Sequence, residues 1–381
     1  MSGSNISVRL YADMVRAYSR GVLRGIANYA KLHGGWDFKF DSLADPDITV
    51  SFVNDDVRGI IIQIRRSDQA EQLLEARRPV VNVANVITPP APLPTVIPDD
   101  DAIGKMAAEY FLDRGFTNFA YCGLTGQRFS QMRGDGFSAA LAKTGHRCTM
   151  LERADNESAS CADELRKLPQ PLAVFCCNDS CAKATVQDVV AMGLQVPDQV
   201  AVLGVDNDEI NCELAGVQLS SIRLNTEEIG YTAADLLSKL IAGEPPPEKP
   251  ILIPPVEVIT RRSSDVLALS DPEVAAVVRF IRDSGGRDIN VDDLLKHTSL
   301  SRRSLEMRFR KALNRSPFQE IRRVQLERAQ LLLARTDRPV REIADACGFK
   351  ESRQLSIAFH ERLGLTPRQY RRRSRPMGNF A

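Results

Sequence analysis

No segment of the sequence approaches the ~18 consecutive apolar residues of a membrane-spanning helix. The opening MSGSNISVRLYADM lacks a charged head followed by an apolar run, so no export signal is read there. A cytoplasmic protein with no membrane partner is expected. Histidine is scarce, with only His33, His146, His297 and His360 scattered along the chain. The eight cysteines show no framework spacing. Their closest group, Cys176, Cys177 and Cys181, lacks the C-x-x-C knuckle and second ligand pair of a thiolate metal site. Buried, reduced thiols in a reducing cytosol are expected, with no metal and no cofactor. Also missing are the G-x-S-x-G elbow, the G-x-x-x-x-G-K-[ST] phosphate loop and the H-E-x-x-H zinc helix. What is present is an ordinary globular composition, 43% hydrophobic and 26% charged, spread over 381 residues. That length implies about two or three domains.

The net charge of +1 conceals a division. From Glu273 onward there are 24 Lys and Arg against 13 Asp and Glu, leaving 26 against 36 in Met1–Pro272. A basic third joined to an acidic two-thirds points to a polyanion met only by the C-terminal part, although a basic surface can also be simply solvated.

The acidic part alternates short apolar runs with amphipathic helical patterns. ISVRLYA, RGIIIQI, PVVNVANV, FAYCGL, LAVFCCN, VAVLGVDN and ILIPPVEVI read as strands. YSRGVLRGIANYAKLHG, DQAEQLLEARR, DDDAIGKMAAEYFLDRG and EEIGYTAADLLSKLIAG read as helices. Such alternation predicts parallel sheets covered on both faces, with ligands beyond the carboxyl ends of the strands. The polar and aromatic residues expected there are Tyr18, Asp99, Phe129, Arg133, Asn178, Asp179, Asp206 and Asn207. A carboxylate at a helix start serves as a cap as readily as a ligand contact. Together, one arginine, carboxylates, amides and aromatic rings form the chemistry that holds a sugar by its hydroxyls and its C–H face. Paired carboxylates could also serve a glycosidase, and their separation is not readable from sequence.

On YSRGVLRGIANYA, the V-x-x-D-D at Val96–Asp100, the R-x-x-G-F at Arg133–Phe137, CCND and VAVLGVDNDE, residues Ile6 to Arg262 resemble the sugar sensor of the LacI and galactose-repressor type. LSSIRLNTEEIGYTAADLL resembles that family's crossing back to its first lobe. The resemblance implies a two-lobed fold like that of periplasmic sugar-binding proteins. It also implies sugar contacts from Asp99, Arg133, Asn178 or Asp179, and Asp206. One departure is that no helix–turn–helix precedes the first strand, so DNA contact must come from elsewhere.

The basic third supplies it. VDDLLKHTSLSRRSLEMRFRKALNRSP, Val291–Pro317, is matched about fifty residues later by VREIADACGFKESRQLSIAFHERLGLTP, Val340–Pro367. Leu294 falls on Ile343, Leu300 on Phe349, Leu305 on Leu355 and Phe309 on Phe359. Each copy has the apolar spacing of two helices around a turn, a pattern a plain helical bundle could share. The outward residues of the second helices favour DNA: Arg302, Arg303, Ser304, Glu306 and Arg308 in one copy, and Lys350, Glu351, Ser352, Arg353 and Gln354 in the other. A helix from Pro317 to Arg335 between the copies would be a rod of roughly 28 Å. Successive major-groove faces lie ~34 Å apart, so one chain could enter two adjacent grooves.

QLERAQLLLARTDRPVREIADACGFKESRQLSIAFHERLGLTPRQYRR, Gln325–Arg372, resembles the AraC/XylS-type DNA-binding domain. The basic third departs from that family at Met307 and Ile357, where members commonly carry arginine. The pairing of the two halves resembles the xylose-operon activator family, and ILIPPVEVITRRSSDVLALSDPEVAAVVRFIRD looks like its interdomain join. The expected organisation is a two-lobed α/β periplasmic-binding-protein-like sensor at 1–265, a linker at 266–272, and an all-α double helix–turn–helix domain at 273–381. Its helix–turn–helix units are expected at about 291–312 and 339–363. The resemblance implies a homodimeric regulator of pentose genes that binds double-stranded DNA and a sugar, with RNA polymerase a further partner. The alternatives are another effector, repression, or an enzyme fused to a DNA-binding domain.

Overall fold

ISVRLYA has buried residues on both sides of its backbone, as a central parallel strand must. In the computed structural model it is strand β1, Ile6–Ala12. The structure describes residues 6–42, 56–75, 78–89, 92–154, 160–269, 271–285, 287 and 289–374. The further strands are β2 (Trp36–Ser42), β3 (Gly59–Ile62), β4 (Val80–Asn82), β5 (Val96–Pro98), β6 (Asn118–Leu124), β7 (Cys148–Arg153), β8 (Leu172–Cys176), β9 (Val200–Val205), β10 (Ser220–Arg223), β11 (Ile251–Ile253) and β12 (Glu257–Ile259).

They form a four-stranded sheet in the order β2-β1-β3-β4, a six-stranded sheet in the order β12-β10-β9-β8-β6-β7, and a β11-β5 pair. Every pairing is parallel except β10 with β12. The architecture is the expected one, two α/β sheets followed by an all-helical region. The run ILIPPVEVI is not one strand. Pro254 and Pro255 lack backbone N–H donors, so the run breaks into β11, which joins β5, and β12, which edges the larger sheet.

The first lobe is closed by helices Ala17–His33 and Thr226–Ile241, which share a core of Val22, Ile26, Tyr29, Ile229, Ala233 and Leu237. Their backbones nearly touch. A Cβ at Gly25 would lie 2.0 Å from the Glu227 carbonyl oxygen, and one at Gly230 would lie 1.9 Å from that of Val22. Only glycine permits this crossing.

Among the described residues, one compact unit gathers those up to Glu109 and from Asn118 to Asp265. The other gathers Tyr110–Thr117 and the residues from Val266 onward. The helical unit has two cores. Val274, Val278, Ile281, Leu294, Leu305, Phe309, Ile321 and Val324 make one. Leu326, Ala329, Leu333, Ile343, Ala344, Phe349, Leu355 and Phe359 make the other. Helix Pro317–Arg335 serves both, because nineteen residues present apolar positions first to one core and then to the next. Ser316 and Gln319 cap it reciprocally, and Pro317 occupies its first turn. In its first turn Glu320, fully buried, accepts from Arg323 at 2.7 and 2.9 Å and from Arg315 at 2.6 Å.

Candidate functional site

Arg133 is the hub of the larger unit's polar centre. It lies one turn and a half into helix Arg128–Ala142 and is only 4% exposed. Its Nε donates to Asp100 Oδ1 at 2.8 Å, its Nη1 donates to the Cys177 carbonyl, and its guanidinium stands 5.0 Å from the centre of the Phe129 ring. Asn85 Nδ2 donates to the second Asp100 oxygen at 2.7 Å. Burial works against the charge on Arg133, but Asp100 and Asp206 outweigh it and hold the side chain protonated.

Asp206 follows β9 in a left-handed turn, with φ of 106°, and Asn207 continues it at 52°. Non-glycine residues occupy this region at a cost, and such positions cluster at functional sites. Among the described residues the Asp206 carboxylate accepts no hydrogen bond. Burial pushes it up to about 6, against the opposing pull of Arg133 and Arg16. Tyr18 completes the cluster. Its hydroxyl donates to the Val83 carbonyl at 2.8 Å, and burial, with Asp100 and Asp206 nearby, pushes its phenol up.

The other expected residues are differently employed. Asp99 Oδ1 accepts from Ala102 N at 3.0 Å and so caps its helix. Asn178 does the same for helix Asp179–Ala191 through Cys181 N at 2.8 Å. Asp179 is buried and accepts from Asp208 N at 2.7 Å and Ser221 Oγ at 2.6 Å. Asn207 Oδ1 accepts from Arg261 at 2.7 Å. Thus Tyr18, Phe129, Arg133 and Asp206 come together, while Asp99, Asn178, Asp179 and Asn207 brace the turns around them.

Sequence reasoning missed Asp100, Asn85 and a first-lobe trio. In that trio Asp13, buried at the end of β1, accepts from Arg16 at 3.2 Å and Arg65 at 3.1 Å. Burial would raise Asp13, yet the Val15 amide, Arg65 and Arg16 hold it below its ordinary value. The strand-end rule could have found Asp13, which follows β1 directly, and Arg65, three residues beyond the end of β3.

A free carboxylate, a fixed guanidinium and two ring faces suit a small polyhydroxylated molecule. The carboxylate accepts from hydroxyls, the guanidinium donates, and the rings cover C–H edges. No group of three or more His, Cys, Asp or Glu among the described residues could hold a metal ion.

In the helical unit, helices Arg302–Leu313 and Ser352–Leu363 are the second helices of the two repeats. Each buries a leucine and a phenylalanine, Leu305 with Phe309 and Leu355 with Phe359, and turns its opposite face outward. Ser301 caps the first through Ser304 N at 3.3 Å. Arg302 is tied to Asp292 at 3.0 Å and Glu306 at 3.7 Å, and Arg308 to Asp271 at 3.3 Å. Arg303, Lys350, Glu351 and Arg353 are exposed, and Ser304, Glu306, Ser352 and Gln354 are half-buried. Gly348 takes φ of 77° in the second turn, as that position requires.

Similarity to known proteins follows the same division. A periplasmic binding protein-like domain matches residues 108–264, and a helix-turn-helix domain matches residues 294–373. The chain is 29% identical to the xylose operon regulatory protein of Haemophilus influenzae, over 97% of this chain and 99% of that one. It is 29% identical to the protein of the same name from Escherichia coli K12, over 96% of each. A solved xylose-binding transcription activator superposes with a TM-score of 0.63 at 27% identity, covering 98% of this chain and 99% of that one.

Proposed function

We propose that this chain, a transcription regulator joining a periplasmic-binding-protein-like sensor to an AraC-type helix–turn–helix domain, activates pentose-catabolic genes when its sensor binds xylose or a close relative. The observation that carries the sugar assignment is the Asp206 carboxylate. It accepts no hydrogen bond among the described residues, is held by a strained turn, and is electrostatically coupled to Arg133. A hydroxyl-rich ligand supplies the donors it lacks. The full-length likeness to xylose operon regulators and to a xylose-binding activator supports a pentose.

The chain works in the cytoplasm as a homodimer, with RNA polymerase as its partner at the promoter. Sugar held between the lobes favours their closed arrangement, and it can shift the balance only by binding that arrangement more tightly. The shift alters how the paired helical units meet their DNA sites. Arg303 and Arg353, exposed on the outward faces, read bases or grip phosphates, with Ser352 and Gln354 beside the latter.

Thermal unfolding of the full chain against a panel of pentoses and hexoses tests the effector. A bound sugar at ~100 times its dissociation constant adds about 2.7 kcal/mol to the unit that holds it. A raised midpoint with xylose supports the proposal, and no movement with any pentose removes it.

A further inference from the structure

The outward faces of the two recognition helices share a feature that charge does not explain. Met307 is 65% exposed and Ile357 is 49% exposed. Each is the sixth residue of its helix, Arg302–Leu313 and Ser352–Leu363. Each follows by one turn an exposed arginine at the second position, Arg303 or Arg353. The registers are equivalent because the inward pairs, Leu305 with Phe309 and Leu355 with Phe359, fall at the same places and are fully buried. A single exposed apolar side chain on a protein surface is ordinary. Exposure at the same register of both repeats, amid Arg303, Arg308, Arg310 and Lys311 on one helix and between Arg353 and Glu361 on the other, is a matched pair.

The cationic face around Met307, and Arg353 one turn before Ile357, suit a polyanion. Within the major groove of DNA the one apolar group offered is the C5-methyl of thymine. We propose that Met307 and Ile357 are specificity-determining residues that each pack on a thymine methyl, one in each half of the site bound by a single chain. The proposal rests on the DNA-binding reading of the helical unit. Four residues of helix rise about 6 Å, so each thymine lies roughly two base pairs from the point reached by Arg303 or Arg353. These positions confer sequence preference and add little to the salt-dependent part of the affinity, because they neutralise no phosphate.

The test uses the full chain and a duplex enriched by it from random-sequence DNA. Each thymine of that duplex is replaced singly by deoxyuridine, which removes only the methyl group. The expected result is about fourfold weaker binding at one thymine in each half, the equivalent of the ~0.8 kcal/mol of one buried methyl-sized group. In Met307→Ala the penalty disappears from one half only, and in Ile357→Ala from the other. Both positions are exposed, so both variants fold, and an unchanged unfolding midpoint verifies it. Enrichment of a sequence in which every deoxyuridine is neutral overturns the proposal and leaves DNA binding standing, with the apolar pair then free for a protein partner. Penalties that persist unchanged in both variants overturn it as well. If no sequence is enriched, the DNA-binding reading falls and this proposal with it.

Discussion

Arg133 Nε donates to Asp100 Oδ1 at 2.8 Å, and both side chains are closed to solvent. This pair joins helix Arg128–Ala142 to the first turn of helix Asp100–Leu112, with Asn85 satisfying the second carboxylate oxygen. Removing one partner strands the other's charge in the interior. Asp100→Ala is therefore expected to destabilise the larger unit by about 3–5 kcal/mol and to abolish its sugar response. Chemical denaturation of the variant, followed by a sugar titration, checks both. Retention of wild-type stability would show that the Arg133 guanidinium finds another acceptor.

Asp206 differs from Asp100 in having no such partner among the described residues. Asp206→Ala should raise the unfolding midpoint at neutral pH, where the buried charge works against the fold, abolish the sugar-induced rise, and leave DNA affinity largely intact. An electrophoretic shift assay beside the thermal measurement separates these effects. Retained induction in the variant places the sugar elsewhere.

The elevated titration of Asp206 makes a pH prediction with a definite sign. Burial pushes it up to about 6, from an ordinary value of 3.8. The folded chain then holds this proton more tightly than the unfolded chain. Its contribution to stability is greatest below pH 3.8 and falls as pH rises towards about 6, levelling off above. On the proposal that sugar hydroxyls donate to the Asp206 carboxylate, binding uses the charged form, so affinity should rise through about pH 6 and then plateau. Asp206→Asn should lack that inflection, so that the difference between wild type and variant carries it, as measured by titration across pH 5 to 8 at about half-unit intervals.

Glu320 gives the opposite sign in the helical unit. Burial would raise it, yet Arg323, Arg315 and Arg282 outweigh burial and hold it at about 2. Its stabilisation is fully present above the ordinary value of 4.5 and is lost as pH falls through about 2. Glu320→Gln should unfold the helical unit more easily at neutral pH, and its deficit relative to wild type should shrink on acidification through that window. A deficit that is constant with pH would assign the loss to packing instead.

On the outward helix faces, Arg302→Ala and Arg353→Ala should both weaken DNA binding without altering the sugar-induced rise in unfolding midpoint. Arg353 should cost more, because Arg302 already shares its charge with Asp292 and Glu306. Each phosphate that is no longer neutralised lowers the salt dependence of log affinity by about one. Binding measured at several salt concentrations therefore tells phosphate grips from base reading. Unchanged affinity in both variants would count against these helices as the reading elements.

The helical unit was the more legible half, because its pattern occurs twice and each copy verifies the other. Leu305 with Phe309 and Leu355 with Phe359 fall in one register in sequence and are buried in one register in space. The long helix Pro317–Arg335 was legible from its unbroken helical pattern. In the sensor, β1, β6, β8 and β9 announced themselves as apolar runs. β2 and β7, at sheet edges, did not, since an edge strand with an exposed face breaks the run.

The candidate site was half legible for a similar reason. Strand ends single out Arg133 and Asp206, but sequence cannot say which member of Asp99–Asp100–Asp101 caps the helix and which turns inward. Helix geometry decides that Asp99 takes the Ala102 amide and Asp100 meets Arg133. Likewise sequence cannot show that Ser221 and the Asp208 amide, distant along the chain, each donate to an oxygen of Asp179.

The most direct measurement is isothermal titration of the full chain and of its Asp206→Ala variant with D-xylose at neutral pH. Saturable heat with one site per chain is predicted for the wild type, and none for the variant. Xylose binding that is undiminished in Asp206→Ala, or no saturable heat with xylose or any other pentose, would contradict the assignment of Asp206 to a pentose site.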